Sequence, residues 1–445
     1  LPGAPFKLPN GQGSEKFFGG RHAARRWRGQ YGSMYSIWSG FKREIVMTKP
    51  DQVRAFYKDS HKHIKAADNN AGWLFAELLG SCVGVVSQKR WRRVRTHFDG
   101  HFTRTAALDK VRLFTSDARE FVRILNEGEE ERIINPTNDL KYCPFFMVAG
   151  IFFGGLTAGQ RKKLSTLGPQ REELFRETFM GGINRFALTK YLPGSALSRL
   201  RSFQRDWEAF VKGAYEQARS NGNGAIVSLW EAMLLQTLDE SLFANLDVTA
   251  HAVSWNVLRI AQHADVQQKV RSEIQQHTKT ATPDESYEAY LRREDTLLAA
   301  CILEASRLHP VLPFSNPEAA EEDKMVDGYV IPRNTDVIVD SYAINVDNPY
   351  WENASEFDPF RHLEPKDRAM NAQRYNMWRF GFGPRQCLGK NVADIILRVI
   401  VAELMKRYEL RLMQEGGAAG INLQADSWIG LPNGRVQLIP YNNAQ

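Results

Sequence analysis

Phe380-Gly381-Phe382-Gly383-Pro384-Arg385-Gln386-Cys387-Leu388-Gly389 is the stretch on which the reading of this chain turns. Glycines and phenylalanines surround a single cysteine, and an apolar run from Asn391 to Met405 follows at once. That run reads as a long buried helix, which puts the cysteine at a helix mouth. Free backbone N–H groups and the positive end of the helix dipole favour a thiolate over a thiol there. Gly381, Gly383 and Gly389 allow backbone to approach something flat and large. Arg385 adds a cation two residues from the sulfur.

A lone cysteine is most often a small buried hydrophobe, and residue type alone favours that reading of Cys387. The spacing argues otherwise. A soft sulfur held beside a cation and apolar rings suits a haem iron whose propionates need anchoring. The pattern Phe-x-x-Gly-x-Arg-x-Cys-x-Gly resembles the haem-ligand loop of the cytochrome P-450 superfamily, with its defined positions present as Phe380, Gly383, Arg385, Cys387 and Gly389. The resemblance implies haem b (iron protoporphyrin IX) as cofactor, Cys387 as its axial metal ligand, and Phe380, Gly381, Arg385 and Gly389 as cofactor-binding residues.

Further motifs agree with it, in order along the chain. Trp91 and Arg95 stand at i and i+4 on one face of a predicted helix. They resemble the family's Trp-x-x-x-Arg, whose indole and guanidinium reach a propionate. A plain Trp–Arg surface pair is the alternative. Glu304 and Arg307 resemble the family's Glu-x-x-Arg, with Arg361 matching the arginine that completes a buried triad. Such a triad is costly unless fully paired, so its implied role is architectural. Glu318 stands where many relatives carry a propionate-binding arginine, so that contact is expected to be lost or supplied elsewhere.

The departure lies in the stretch Leu242-Phe243-Ala244-Asn245-Leu246-Asp247-Val248-Thr249-Ala250-His251. It resembles the family's long central helix, with Asp247 matching the acid of an acid–alcohol pair. Val248 occupies the alcohol's place, Asn245 replaces the usual glycine, and Thr249 falls one residue late, about 100° further round. Valine offers no hydrogen bond, so Asp247, Asn245 and Thr249 are the candidate catalytic residues, helped by water or substrate. His251 reads as a surface or partner-contact residue rather than a ligand. The substrate-pocket candidates are Trp73, Leu74, Phe179, Val248, Phe314 and Ile429, which imply a mostly apolar, partly aromatic cavity. The segment Phe175 to Tyr191 reads either as core or as a mobile cover.

The bulk properties fit. The chain has 445 residues, 43% hydrophobic and 24% charged, which is ordinary globular composition. Cys82, Cys143, Cys301 and Cys387 show no paired spacing, which argues against a disulfide framework or a zinc ribbon. No run of about 18 apolar residues occurs. A net charge of +7 with basic clusters at Arg21 to Arg28 and Lys89 to Arg95 suits an acidic partner or a membrane surface. No nucleic-acid motif accompanies the clusters.

Helices are expected over Glu15 to Gln30, Pro50 to Tyr57, Lys89 to Phe98, Ser228 to His263 and Asp284 to Leu308. Strands are expected over Met34 to Trp38, Glu44 to Thr48, Tyr329 to Pro332, Asp336 to Tyr342, Tyr408 to Met413 and Arg435 to Ile439. The implied fold is mainly α with small β-sheets: residues 1–445 as one haem-thiolate catalytic domain, a monomer. The resemblance is to eukaryotic microsomal members, and to fungal members of specialised metabolism. It implies an oxidoreductase that activates dioxygen to hydroxylate, cyclise or couple a small molecule such as a cyclic dipeptide. Electrons would come from NADPH through a flavoprotein reductase, at the cytosolic face of the endoplasmic reticulum membrane, with the N-terminal anchor lying outside this chain. Two other classes stay open: a haem-thiolate isomerase or dehydratase acting on a peroxide without a reductase, and a non-catalytic haem sensor or electron carrier.

Overall fold

The computed structural model describes residues 1–125, 132–192, 196–222, 224–229, 235–363, 374–413 and 421–441. It is a mainly α fold with small sheets at its edges. Two buried helices organise it. The central helix, Leu235–Gln262, buries Leu238, Leu242, Leu246, Val253 and Val257 against the apolar helix Tyr142–Phe153 and against Leu297–Leu308. The cysteine helix, Lys390–Arg407, is buried nearly all round from Val392 to Met405, as a core helix with no solvent face should be. Its one arginine at depth, Arg398, donates to the Leu291 carbonyl at 2.9 Å. No single helix among the described residues is long and apolar enough to cross a membrane; one bent pair, Pro136–Phe153 with Ala158–Met180, passes by length and composition only.

A five-stranded sheet forms one edge of the molecule, in the order Met34–Ser39, Lys42–Met47, Asp336–Val339, Glu318–Ala319, Ile64–Lys65. Its last antiparallel pair sets Lys65 opposite Glu318, so register alone brings these opposite charges together. A three-stranded sheet joins Arg132–Ile134, Val436–Pro440 and Tyr408–Leu412.

Three expected elements divide, each at a readable signal. The helix expected over Glu15 to Gln30 is two, Gly13–Phe18 and Gly20–Tyr31, broken where Gly20 takes a φ of +46°. The helix expected over Asp284 to Leu308 stops at Arg292 and restarts at Leu297, where the Thr296 hydroxyl caps the Ala299 N–H at 3.2 Å. The strand expected over Asp336 to Tyr342 ends at Val339, because Asp340 caps a new helix, Ser341–Asn345. In the stretch expected as one helix over Ser228 to His263, the central helix begins at Leu235, and residues 230–234 lie outside the described set.

Candidate active site

The two organising helices face each other across a cavity of about 400 Å³. Cys387 opens onto it from one side, and Ser241, Ala244, Asn245, Val248 and Ala252 of the central helix form the opposite wall. Those positions recur every three to four residues, as one helix face requires.

The cysteine loop is held by its own backbone. The Cys387 N–H donates to the Phe380 carbonyl at 2.8 Å, and Gly381 and Gly383 take φ values of +78° and +73° to make the turn. Gly389 borders the cavity, and a Cβ there would meet no atom of the described residues within 4 Å, so its bareness keeps clearance for something other than protein. Gly383 has a different reason: it does not border the cavity, and a Cβ would lie 2.0 Å from the Ser60 hydroxyl. Burial pushes the Cys387 thiol up, against the Gly389 backbone and Arg95, which favour the thiolate. Ligation to a metal ion would remove the thiol's proton outright.

Beside the loop lies a cluster of cations. Arg385 donates to the Val86 carbonyl at 2.6 Å and lies over the Trp91 ring at 5.1 Å. Its buried Nε has no partner among the described residues, and burial lowers the guanidinium to about 10. Arg95 donates to the Gln386 carbonyl at 3.0 Å and to Asp99 at 2.5 Å. Glu318, in the place of the expected arginine, is buried at the same corner. Burial would raise its carboxyl, but Lys65 and His63 hold it at about 2. Lys65 borders the cavity, so the cation at this corner comes from the neighbouring strand. An unpartnered arginine nitrogen, further cations, an indole and a bare Gly389 beside a cysteine fit a haem with its propionates. Trp91, Arg95, Arg385 and Lys65 could hold the carboxylates and Cys387 the iron.

Glu304, Arg307 and Arg361 meet behind the loop. Arg307 grips Glu304 with two bonds, at 2.8 and 2.7 Å, and Arg361 adds a third at 3.1 Å. His362 bonds the other oxygen at 2.9 Å, a member absent from the expected triad. Burial opposes ionisation, yet these hydrogen bonds hold Glu304 down at about 2. Arg307 also donates to the Asn345 carbonyl at 2.9 Å, and the Asn345 amide brackets Trp378 through bonds of 2.9 and 2.6 Å, just ahead of the cysteine loop.

The central helix departs from expectation. Asn245, Val248 and Thr249 border the cavity, but Asp247 does not. Its carboxylate accepts from the Trp428 indole at 3.0 Å and lies 3.5 Å from Lys141, which also pairs with Glu172. Burial, then the charge of Asp247, push Glu172 up to about 7. The Asn245 amide donates to the Ser241 carbonyl at 2.6 Å, and the Thr249 hydroxyl donates to the Asn245 carbonyl. His251 is not on the surface but 1% exposed, with burial pushing it down to about 3.

Most of the apolar candidates also lie elsewhere. Phe314 packs on Trp27 with ring centroids 6.0 Å apart, in the small core under the five-stranded sheet. Phe179 stacks on Trp428 at 4.7 Å and packs against Phe17, filling the region beside the Ser427 to Leu431 turn. Leu74 and Ile429 are buried in the main core, and Trp73 bonds Glu77 at the surface. None of these borders the cavity; Val248 does. Sequence reading missed Lys65, Glu240 and His309 in the lining.

The sequence model of the family described as Cytochrome P450 matches residues 13–439. The chain belongs to the cytochrome P450 family. Among its relatives is the cytochrome P450 monooxygenase verC of Clonostachys rogersoniana, 65% identical over 449 residues, covering 99% of this chain and 88% of the relative. The cytochrome P450 monooxygenase gliC of Aspergillus fumigatus is 46% identical, covering 99% of this chain and 89% of the relative. The cytochrome P450 monooxygenase aclC of Aspergillus oryzae is 40% identical, covering 100% and 92%. This P450 is thus a haem-thiolate monooxygenase-type oxidoreductase that acts on a small molecule and takes electrons from a redox partner.

Proposed function

We propose that this P450 carries haem b and oxidises a mostly apolar, partly aromatic specialised metabolite such as a cyclic dipeptide, by hydroxylation or by oxidative cyclisation or coupling. The observation that carries the reading is the pairing of Cys387 with the Asn245–Val248 wall across one cavity. A bound haem supplies dioxygen activation, with the cysteine sulfur favouring O–O cleavage. The chain's own residues do the rest. Trp91, Arg95, Arg385 and Lys65 would orient the cofactor by its carboxylates, and Ala244, Val248 and Ala252 give the reacting face an apolar part. Proton handling at that face falls to Asn245 and Thr249, with water or a substrate group. Asp247 serves only from behind the helix, through its link to Lys141 and Glu172.

Electrons come from NADPH through a flavoprotein reductase at the endoplasmic reticulum membrane, to a monomeric enzyme. Lys89, Arg90, Arg92 and Arg93 are all exposed on the helix Gln88–Phe102, next to the cofactor corner, and suit an acidic partner. Reversing these charges should slow reduction severalfold and leave substrate binding unchanged; equal reduction rates rule the surface out.

The central test is Cys387→Ala. The red-shifted Soret band of the reduced carbon-monoxide complex should vanish, and its survival would remove the sulfur from the site. Val248 favours one second reading, an isomerase or dehydratase acting on a peroxide, because valine stands where the resemblance expects the alcohol beside Asp247. Substrate-dependent NADPH consumption with a reductase separates the two.

A further inference from the structure

Glu240 borders the cavity from the central helix, one turn before Ala244, and the chemistry above leaves it without a task. Burial is the main influence on its carboxyl and pushes it up. The residue is only part-buried and lines the cavity. Its charge is felt by the Cys387 thiol, by Arg385 and by Lys65, which also border this cavity.

The carboxyl is aimed by the loop opposite. Oε2 accepts the Gly84 N–H at 3.0 Å, and the Cys82 thiol donates a hydrogen bond to the carboxyl. A side chain at residue 84 would displace it, since a Cβ there would fall 2.0 Å from Oε1. Among the described residues Glu240 makes no ion pair, and Oε1 accepts from no nitrogen or hydroxyl. The neighbouring Asp239 differs: it is paired with Arg171 at 2.6 Å and turned into the core. The cavity that Glu240 borders mixes apolar residues, Val83, Ala244, Val248, Val311 and Leu312 among them, with the cations Lys65 and Arg385, whose charges it feels. A buried carboxyl that accepts from only a backbone N–H and a thiol has spare acceptor capacity, which is costly until a further donor reaches it.

We propose that Glu240 anchors the substrate by accepting a hydrogen bond from an amide N–H, so that this enzyme selects substrates presenting that donor to the distal wall. The inference rests on the cyclic-dipeptide reading and sharpens it: the ring's amide edge, rather than its apolar side chains, sets the pose. A site built around a buried acceptor discriminates strongly against a ligand lacking the donor.

The test titrates the haem-loaded protein with cyclo(Phe-Phe) and with its N,N′-dimethyl analogue, following the Soret shift. The native protein should bind the free amide at least about tenfold more tightly. Glu240→Leu should bind both with one weakened Kd, and Glu240→Gln, which keeps an acceptor, should recover part of the preference. Equal affinities in the native protein overturn the anchor, as does a tenfold preference that survives in Glu240→Leu. If neither compound shifts the band, the cyclic-dipeptide reading fails, and the anchor built on it fails with it. The native comparison decides even if Glu240→Leu does not fold.

Discussion

Glu240 and Asp247 lie two turns apart on nearly the same edge of one helix, and they do opposite things. Glu240 borders the cavity; Asp247 is drawn into a cluster with Lys141, Glu172 and Trp428. Helical register does not separate them. What separates them is the residue opposite each: a glycine at one level, a lysine and an indole at the other. An acid matched by its place in a motif can therefore be the structural one, while an unremarked acid takes the site.

The largest expected effect comes from removing what holds Asp247 aside. Lys141→Met leaves two neighbouring carboxyls without their cation and should cost about 2 kcal/mol at pH 8, with allowance for the lysine's partial exposure. The loss should shrink towards pH 5. A folded-state value of about 7 for Glu172 lies above the ordinary carboxyl value, so the fold favours its protonated form and loses stability as pH rises through that window. Denaturant melts at the two pH values check this, and a pH-independent loss would break the cluster's account of Asp247.

A smaller effect bears on the other acid. Gly84→Ala puts a methyl where the Glu240 carboxyl rests, and the end of that side chain can swing aside at little cost. The melting temperature should therefore hardly move, while the Kd for a cyclic dipeptide rises about tenfold, about 1.4 kcal/mol. Unchanged affinity would mean that the glycine does not aim the acid.

The parts of the site legible in the sequence are those fixed by short-range spacing. Phe380 to Gly389 is one loop, Trp91 and Arg95 are one turn apart, and Glu304 and Arg307 face each other because residues three apart on a helix must. The pocket was not legible in this way. Phe314, Phe179, Leu74 and Ile429 are apolar residues for which core and cavity wall are equally good homes, and only long-range packing chooses between them. Glu240 was missed for the converse reason: a polar residue on a long helix suggests solvent, and the sign that it is not solvated is a glycine far upstream, Gly84. Lys65 is another such case, since a two-residue strand places it against Glu318.

The frame that carries Cys387 and the wall that faces it answer to different acidities. Glu304, held at about 2 against an ordinary carboxyl value near 4.5, contributes in full above that ordinary value and weakens only as pH falls towards 2. Loosening that knot takes acid below the ordinary carboxyl value. Glu172, behind the central helix, changes charge close to neutrality. Acidity near neutrality therefore acts on a cluster behind the central helix that does not border the cavity, while the frame around Glu304 keeps its charge.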